Sequence, residues 1–215
     1  MSKVIVGLST SVDGIASGTS EDDFWPVHEA VLGWLFNLRS WREAQGMEGG
    51  EDTEDSRLWS EEFQRIGAQI VGRRMFDFSV DAWGENPSFH APVFVVTHRA
   101  HDRIDKEGGT SYTFVTGGIA SAIEQAKMAA NGRDVLIAGG LSIAQQALRA
   151  GLVDELSMHI SPVLLGGGAR LLDEIGEKPI RLQPNRVAGS AAVTHIRYEV
   201  VKPAGGNGDG QRAAQ

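Results

Sequence analysis

Asp134-Val-Leu-Ile-Ala138-Gly139-Gly140-Leu141-Ser142-Ile143-Ala-Gln-Gln-Ala-Leu-Arg-Ala150 decides how the rest of the chain is read. Asp134–Ala138 is short and apolar, two glycines follow at once, and the spacing after them predicts a helix over 141–150. An apolar run without polar alternation fits a strand buried on both faces, as in a parallel sheet covered by helices. The same unit recurs on the N-terminal side. Gln69–Val71 runs into Gly72-Arg73-Arg74-Met75 and a short helix. Pro92–Thr97 is apolar, and Tyr112–Thr116 leads through Gly117-Gly118 into an alanine-rich helix, Ile119–Ala130. Lys3–Leu8 reads as a buried first strand that ends at Ser9-Thr10-Ser11, with Asp13-Gly14 as a turn in the loop over 11–18.

Between the first strand and Gly72 lies a long helical and acidic insertion, 20–66. Val31, Trp34, Leu35, Leu38 and Trp41 recur at helical spacing, so one amphipathic helix is expected over His28–Ala44. Gln45–Asp55 is Gly-rich and acidic and reads as a solvated excursion. Leu58, Trp59, Phe63 and Ile66 resume a helical face. The C-terminal third carries strands Asp154–Ser161, Val163–Leu165 and Ala191–Val201 with no long helix between them. There Val193, His195 and Arg197 alternate with Thr194, Ile196 and Tyr198, as on an antiparallel sheet edge. The expected fold is α/β: one domain over 1–202, a central, mostly parallel sheet with antiparallel C-terminal strands, and helices on both faces. A tail over 203–215, rich in Gly and Ala, is expected to be disordered.

The chain has 215 residues, no cysteine, 27 glycines and a formal net charge of −8. Absence of cysteine excludes disulfide scaffolds, thiolate metal sites and cysteine nucleophiles. The acidic balance argues against a nucleic-acid surface but leaves room for a local anion site. Met1–Gly7 has no secretory pattern and no apolar run is long enough to span a membrane, so a cytoplasmic protein is expected.

Three segments end apolar strands with groups suited to phosphate. Gly72-Arg73-Arg74-Met75 offers close backbone approach, a helix start and two guanidiniums. Thr97-His98-Arg99 places a hydroxyl, an imidazole and a guanidinium where ligands sit in open α/β sheets, suited to a terminal phosphate such as the 2′-phosphate of NADP. Gly139-Gly140-Leu141-Ser142 sets two glycines before a helix N-terminus, an arrangement for a pyrophosphate. Each also reads as an ordinary turn; together they point to a nucleotide. Asp13 sits in the exit loop of the first strand, as a proton donor or ligand anchor, or simply as the turn residue. The histidines show no metal-binding spacing, and no metal site is expected; His159 and His195 read as packing or surface residues. Trp34, Phe36, Trp41, Trp83 and Phe89 either wall an apolar pocket or pack in the core.

Together with Ser11-Val12-Asp13-Gly14-Ile15-Ala16, Val95-Val96-Thr97-His98-Arg99, Gly151-Leu152-Val153-Asp154-Glu155-Leu156 and Pro162-Val163-Leu164-Leu165-Gly166-Gly167-Gly168, these segments resemble the dihydrofolate reductase-like superfamily. The branch is that of the C-terminal reductase domain of bifunctional riboflavin biosynthesis deaminase/reductases. The resemblance covers about residues 3–202 and implies NADPH as cofactor. It assigns the adenosine phosphates to Arg73, Arg74 and the turn Thr97–Arg99, and the pyrophosphate to Gly139, Gly140, Leu141, Ser142 and Ile143. Ile15 and Ala16 fall near the nicotinamide. A homodimer through the C-terminal strands is also implied. The deaminase domain and its zinc ligands have no counterpart here. In the insertion, Glu29, Glu43, Asp55 and Glu62 are the candidates for the substrate carboxylate of dihydrofolate reductases. The functional expectation is an NADPH-dependent reductase of a small heteroaromatic or conjugated carbonyl or imine compound. The alternative is a protein that binds a nucleotide or small ligand on the same fold without turnover.

Overall fold

The computed structural model describes residues 2–202, and the tail expected over 203–215 lies outside the described residues. In chain order the strands and helices are β1 (Val4–Ser11), β2 (Ile15–Ser17), α1 (Glu21–Phe36), α2 (Arg39–Ala44), α3 (Glu54–Arg65), β3 (Ile66–Gly72), α4 (Arg73–Trp83), β4 (Pro92–Val96), β5 (Ile104–Asp105), β6 (Ser111–Val115), α5 (Gly118–Ala129), β7 (Asp134–Gly139), α6 (Leu141–Arg149), β8 (Glu155–Ser161), β9 (Ala169–Arg170), β10 (Leu182–Gly189) and β11 (Thr194–Val200). Nine strands form one sheet in the order β10-β11-β8-β1-β7-β3-β4-β6-β5, and β2 pairs with β9 apart from it. The six strands from β8 to β6 are parallel, whereas β10, β11 and β5 join antiparallel. No helix among the described residues is long and apolar enough to cross a membrane.

Strand parity sorts the side chains. Val4 and Val6 of β1, Ala68 and Ile70 of β3, Val135 and Ile137 of β7, and Leu156 of β8 face one core with Ile119, Ile123, Ile143 and Leu148 of α5 and α6. The other face is divided. On the β3–β4–β6 side, Val71, Val93, Val95 and Tyr112 pack with Phe76 of α4. Towards β1 and β8 the residues out of phase with the first core are Gly7, Ser9, Ser157, His159 and Ser161, so this part of the sheet is polar under α1 and α3. Ser161 Oγ donates to the Val31 carbonyl of α1 at 2.8 Å and ties that helix down.

The single helix expected over His28–Ala44 is instead two. α1 starts earlier, at a capping box in which the Ser20 and Asp23 side chains exchange bonds with each other's backbone N–H groups. It stops at Asn37. The next residue, Leu38, is buried and forms a bridge with Glu51; Arg39 N–H donates to the Glu51 carbonyl at 3.0 Å and Glu51 N–H to the Asn37 carbonyl at 2.7 Å. The acidic segment thus folds back onto the helix break. Its last residue departs from the solvated reading: Asp55 lies in the first turn of α3 and is 4% exposed.

Val163–Leu165 is not a strand. The amides of Leu165 and Gly166 turn towards Asp13 instead of a sheet edge. The outer strand β10 was missed. It is almost wholly exposed, contains Pro184, and has a register shift between Pro184 and Arg186, so it has the character of an edge and no buried apolar face to give it away.

Candidate active site

The carboxyl ends of β1, β3, β4, β6 and β7 open onto one cavity of about 1430 Å³, roofed by α1, α3 and the start of α4. Three helices point their N-termini at it. α4 begins at Gly72, α5 at Gly117 and α6 at Gly140, none with a side-chain cap, whereas Ser20 and Thr53 cap α1 and α3. Uncapped first-turn N–H groups combine with the positive end of each helix dipole to favour an anion. The turns after β3 and β7 touch: a Cβ on Gly72 would lie 3.3 Å from the Gly140 Cα and 3.2 Å from Ile143. A side chain at Gly139 would overlap the Met75 sulfur. Glycine here keeps two backbones together and leaves their amides open to the cavity.

All of Gly72, Arg73, Arg74, Met75, Thr97, His98, Arg99, Gly139, Gly140, Leu141, Ser142 and Ile143 line this cavity, as does Ala16. Arg73 is held by Asp77 at 2.7 Å and lies over Phe76 and Phe114. Arg74 lies over Phe78, with one bond to the Ser20 carbonyl at 3.1 Å. Thr97 is buried and its Oγ1 accepts from Arg99 N–H at 3.1 Å, which shapes the turn carrying the exposed His98 and Arg99. Ile15 is the exception within its pair. It is 1% exposed and packs under Gly168, away from the cavity.

Asp13 does not fit the role of proton donor. Its carboxylate accepts from Ser11 Oγ at 2.7 Å and from the backbone N–H groups of Gly166 at 2.8 Å and Leu165 at 3.1 Å. These bonds hold it well below the usual carboxylate range, at about 2. The residue pins the loop after β8 to the turn after β1, and an acid so strong carries no proton near neutral pH.

The inner end of the cavity is aromatic and polar. Trp34, Trp41, Trp59, Phe63, Trp83 and Phe89 wall it, and Ser9, Gln69, Glu62 and His159 present polar atoms. Of the four candidate carboxylates, Glu62 and Glu29 line the cavity, while Asp55 is committed elsewhere and Glu43 is not among the lining residues. Glu62 Oε2 accepts from Ser157 Oγ at 2.8 Å and from Arg197 Nη2 at 3.0 Å, and its Oε1 lies 4.0 Å from His159 Nε2. Burial opposes its ionisation, but the Ser157 hydroxyl and the Arg197 guanidinium favour the charged form, and the carboxyl lies below its ordinary value. Behind it, His159 and His195 face each other across β8 and β11 with Nδ1···Nδ1 at 2.7 Å, and His195 Nε2 lies 3.1 Å from Asp55 Oδ1. Trp34 packs on both rings at about 5 Å. Burial pushes His159 down to about 4, so the ring is neutral near neutral pH.

The histidine pair differs from the packing-or-surface reading. Alternation along each strand puts both on the polar face; the register that sets them opposite each other depends on how β11 docks.

The model of the RibD C-terminal domain matches residues 2–195. The protein YyaP of Bacillus subtilis (strain 168) is 22% identical over 206 residues, covering 91% of this chain and 94% of its own. A solved structure from Shewanella sp. PV-4, named for riboflavin biosynthesis, is 21% identical with a TM-score of 0.66 over 93% of this chain and 99% of that one. The diaminohydroxyphosphoribosylaminopyrimidine deaminase/5-amino-6-(5-phosphoribosylamino)uracil reductase of Thermotoga maritima is 12% identical with a TM-score of 0.58; the match covers 93% of this chain and 57% of that longer one. These structures share a dihydrofolate reductase-like α/β fold with this chain, and the chain belongs to the RibD C-terminal domain family.

Proposed function

We propose that this protein is an NADPH-dependent reductase of a small, flat, conjugated carbonyl, imine or heteroaromatic compound. The observation that carries the reading is the convergence of three uncapped helix N-termini and three guanidiniums on a cavity whose walls also carry many aromatic side chains. The residues present fit the dinucleotide. The glycine contact between the turns after β3 and β7 leaves amides free for a pyrophosphate, and Arg73, Arg74, His98 and Arg99 are suited to the adenosine phosphates. When bound, a dihydronicotinamide supplies a hydride. The chain's own work is to hold the acceptor against that ring and keep water out, which the tryptophans and Phe63 favour.

The inner end also narrows the substrate class. Among the described residues that line the cavity, the only Lys or Arg side chains are Arg73, Arg74 and Arg99, all at the ends of β3 and β4. A phosphate on the substrate would meet Glu62, whose partner Arg197 does not line the cavity. The Thermotoga maritima relative is named for a phosphoribosyl substrate; here an unphosphorylated ring is favoured, with a hydrogen-bond donor edge against Glu62 Oε1. Glu62 supplies a carboxylate inside the cavity, which weighs against the reading of the chain as a binder without turnover. The test is NADPH oxidation against a panel of flat conjugated compounds, phosphorylated and not. Saturable turnover restricted to the unphosphorylated members is expected. NADPH binding without turnover across the panel would favour the binder.

The homodimer is likewise a proposal. β10 presents an open edge with Leu182 and Val187 exposed, and a second copy would cover it. Light scattering on a size-exclusion column checks this, with about twice the chain mass of 23.1 kDa expected.

A further inference from the structure

Behind the main cavity a second, small pocket of about 20 Å³ is lined by Leu58, Ser157, Arg186 and His195, and it shares Glu62 and His159 with the large one. From His159, which lines both pockets, an unbroken row of polar side chains runs back through His195 to Asp55, which lines neither. We propose that this row is a proton relay: His159 takes up a proton and hands it to the substrate, while His195, held against Asp55, carries the charge. The proposal rests on the reductase reading above.

Geometry assigns the direction. As a carboxylate Asp55 accepts through Oδ1, and His195 Nε2, 3.1 Å away, then carries the hydrogen towards it. The 2.7 Å Nδ1···Nδ1 contact needs one hydrogen, on either ring. In the uncharged pair it belongs to His159, whose Nε2 is then bare. With one further proton on the pair, His195 carries both hydrogens and His159 becomes the Nε2–H tautomer while staying neutral. That Nε2 is the atom nearest Glu62 Oε1, at the inner end of the main cavity. Among the described residues no three His, Asp or Glu side chains gather as metal ligands do, so the row is a hydrogen-bond chain and not a chelate.

With the hydride supplied as above, the proton step balances. The His159 Nε2–H bond breaks and a bond forms to the nitrogen or oxygen of the reduced substrate. His159 Nδ1 takes the proton from His195 Nδ1, and His195 keeps its Nε2–H against Asp55. The substrate gains one hydride and one proton, the dihydronicotinamide is oxidised, and no protein group changes oxidation state. One proton from water recharges the pair: it bonds to the bare His159 Nε2, and the hydrogen on His159 Nδ1 passes to His195 Nδ1. Glu62 cannot replace His159 as donor, since Arg197 and Ser157 hold it ionised. The charged and titratable groups facing the pair are Asp55 and Glu62 from α3, Arg197 from β11 and, across the small pocket, Arg186 from β10; Trp34 of α1 brings none.

The test is nitrogen-15 NMR of the histidines in the full chain, with and without NADP⁺, across pH. A scalar coupling between the two Nδ1 atoms and a switch of His159 from Nδ1–H to Nε2–H as the pair gains one proton are expected. In Asp55→Asn the switch moves to lower pH or vanishes. The second arm follows NADPH oxidation with phenanthrenequinone, a flat dicarbonyl. In His195→Asn a fall in kcat of about 100-fold is expected, with NADPH affinity unchanged as the check on folding. A fixed His159 tautomer, or two histidines that titrate independently, would overturn the relay even if NADPH binds and turns over. Absence of NADPH binding would overturn the reductase reading, and the relay's role with it.

Discussion

A Cβ on Gly140 would stand 3.0 Å from both the backbone nitrogen and the Cα of Gly72, so the turns after β7 and β3 meet backbone to backbone. This contact brings the N-termini of α4 and α6 to one place. Gly140 also has φ +85°, where an L side chain costs about 1–2 kcal/mol. Gly140→Ala is therefore expected to raise the NADPH dissociation constant by about tenfold or more and to lower Tm by several degrees. Gly33→Ala is the control: Gly33 is exposed in α1 with open space around it, and the change is expected to stabilise by about 0.5–1 kcal/mol. Calorimetric titration and thermal melts read both.

Arg74 is exposed and spends one bond on the Ser20 carbonyl, so its charge is available to a ligand. In Arg74→Glu, NADPH affinity is expected to fall by about 10- to 100-fold with Tm nearly unchanged, and added salt to weaken wild-type binding. Titrating NADPH into the variant at two ionic strengths is the check. Unchanged affinity would remove Arg74 from the site.

Below the site, Arg65 bridges Asp134 at 2.8 Å and Glu155 at 2.9 Å, and Glu155 is 1% exposed. Arg197 and Lys3 approach the same carboxylate at 3.2 and 3.4 Å. Removing Arg65 strips a buried anion of its best partner. Arg65→Met is expected to cost about 3 kcal/mol, read as a lower urea midpoint at constant slope.

Asp13 gives a pH signature. Its carboxyl falls from 3.8 to about 2 on folding, so its stabilisation is present in full above about pH 4 and is lost as pH drops through 2. The stability difference between wild type and Asp13→Asn is expected to be flat from pH 7 to 5 and to shrink below pH 4. A difference that grows on acidification would contradict the loop-pin role.

The parallel sheet was legible because its strands are continuous apolar runs that end in glycine, a pattern few other arrangements produce. Gly72–Met75, Thr97–Arg99 and Gly139–Ile143 were legible as segments that share one cavity for the same reason, since each directly follows such a strand. Ile15 turns inward, and of the readings open for Asp13 the turn residue fits and the proton donor does not: adjacency to a strand end does not say which side chain turns outward. β10 has neither apolar alternation nor a buried face, and only its pairing with β11 makes it a strand. His159, His195 and Asp55 lie far apart in the chain and meet through strand register and the docking of α3, neither of which short-range spacing encodes.

Direct titration of the purified protein with NADPH, and with NADH in parallel, bears most directly on the proposed function. Saturable one-site binding of NADPH at tens of micromolar or tighter is expected, with NADH weaker and Gly140→Ala impaired. No binding of either nucleotide in that range would contradict it.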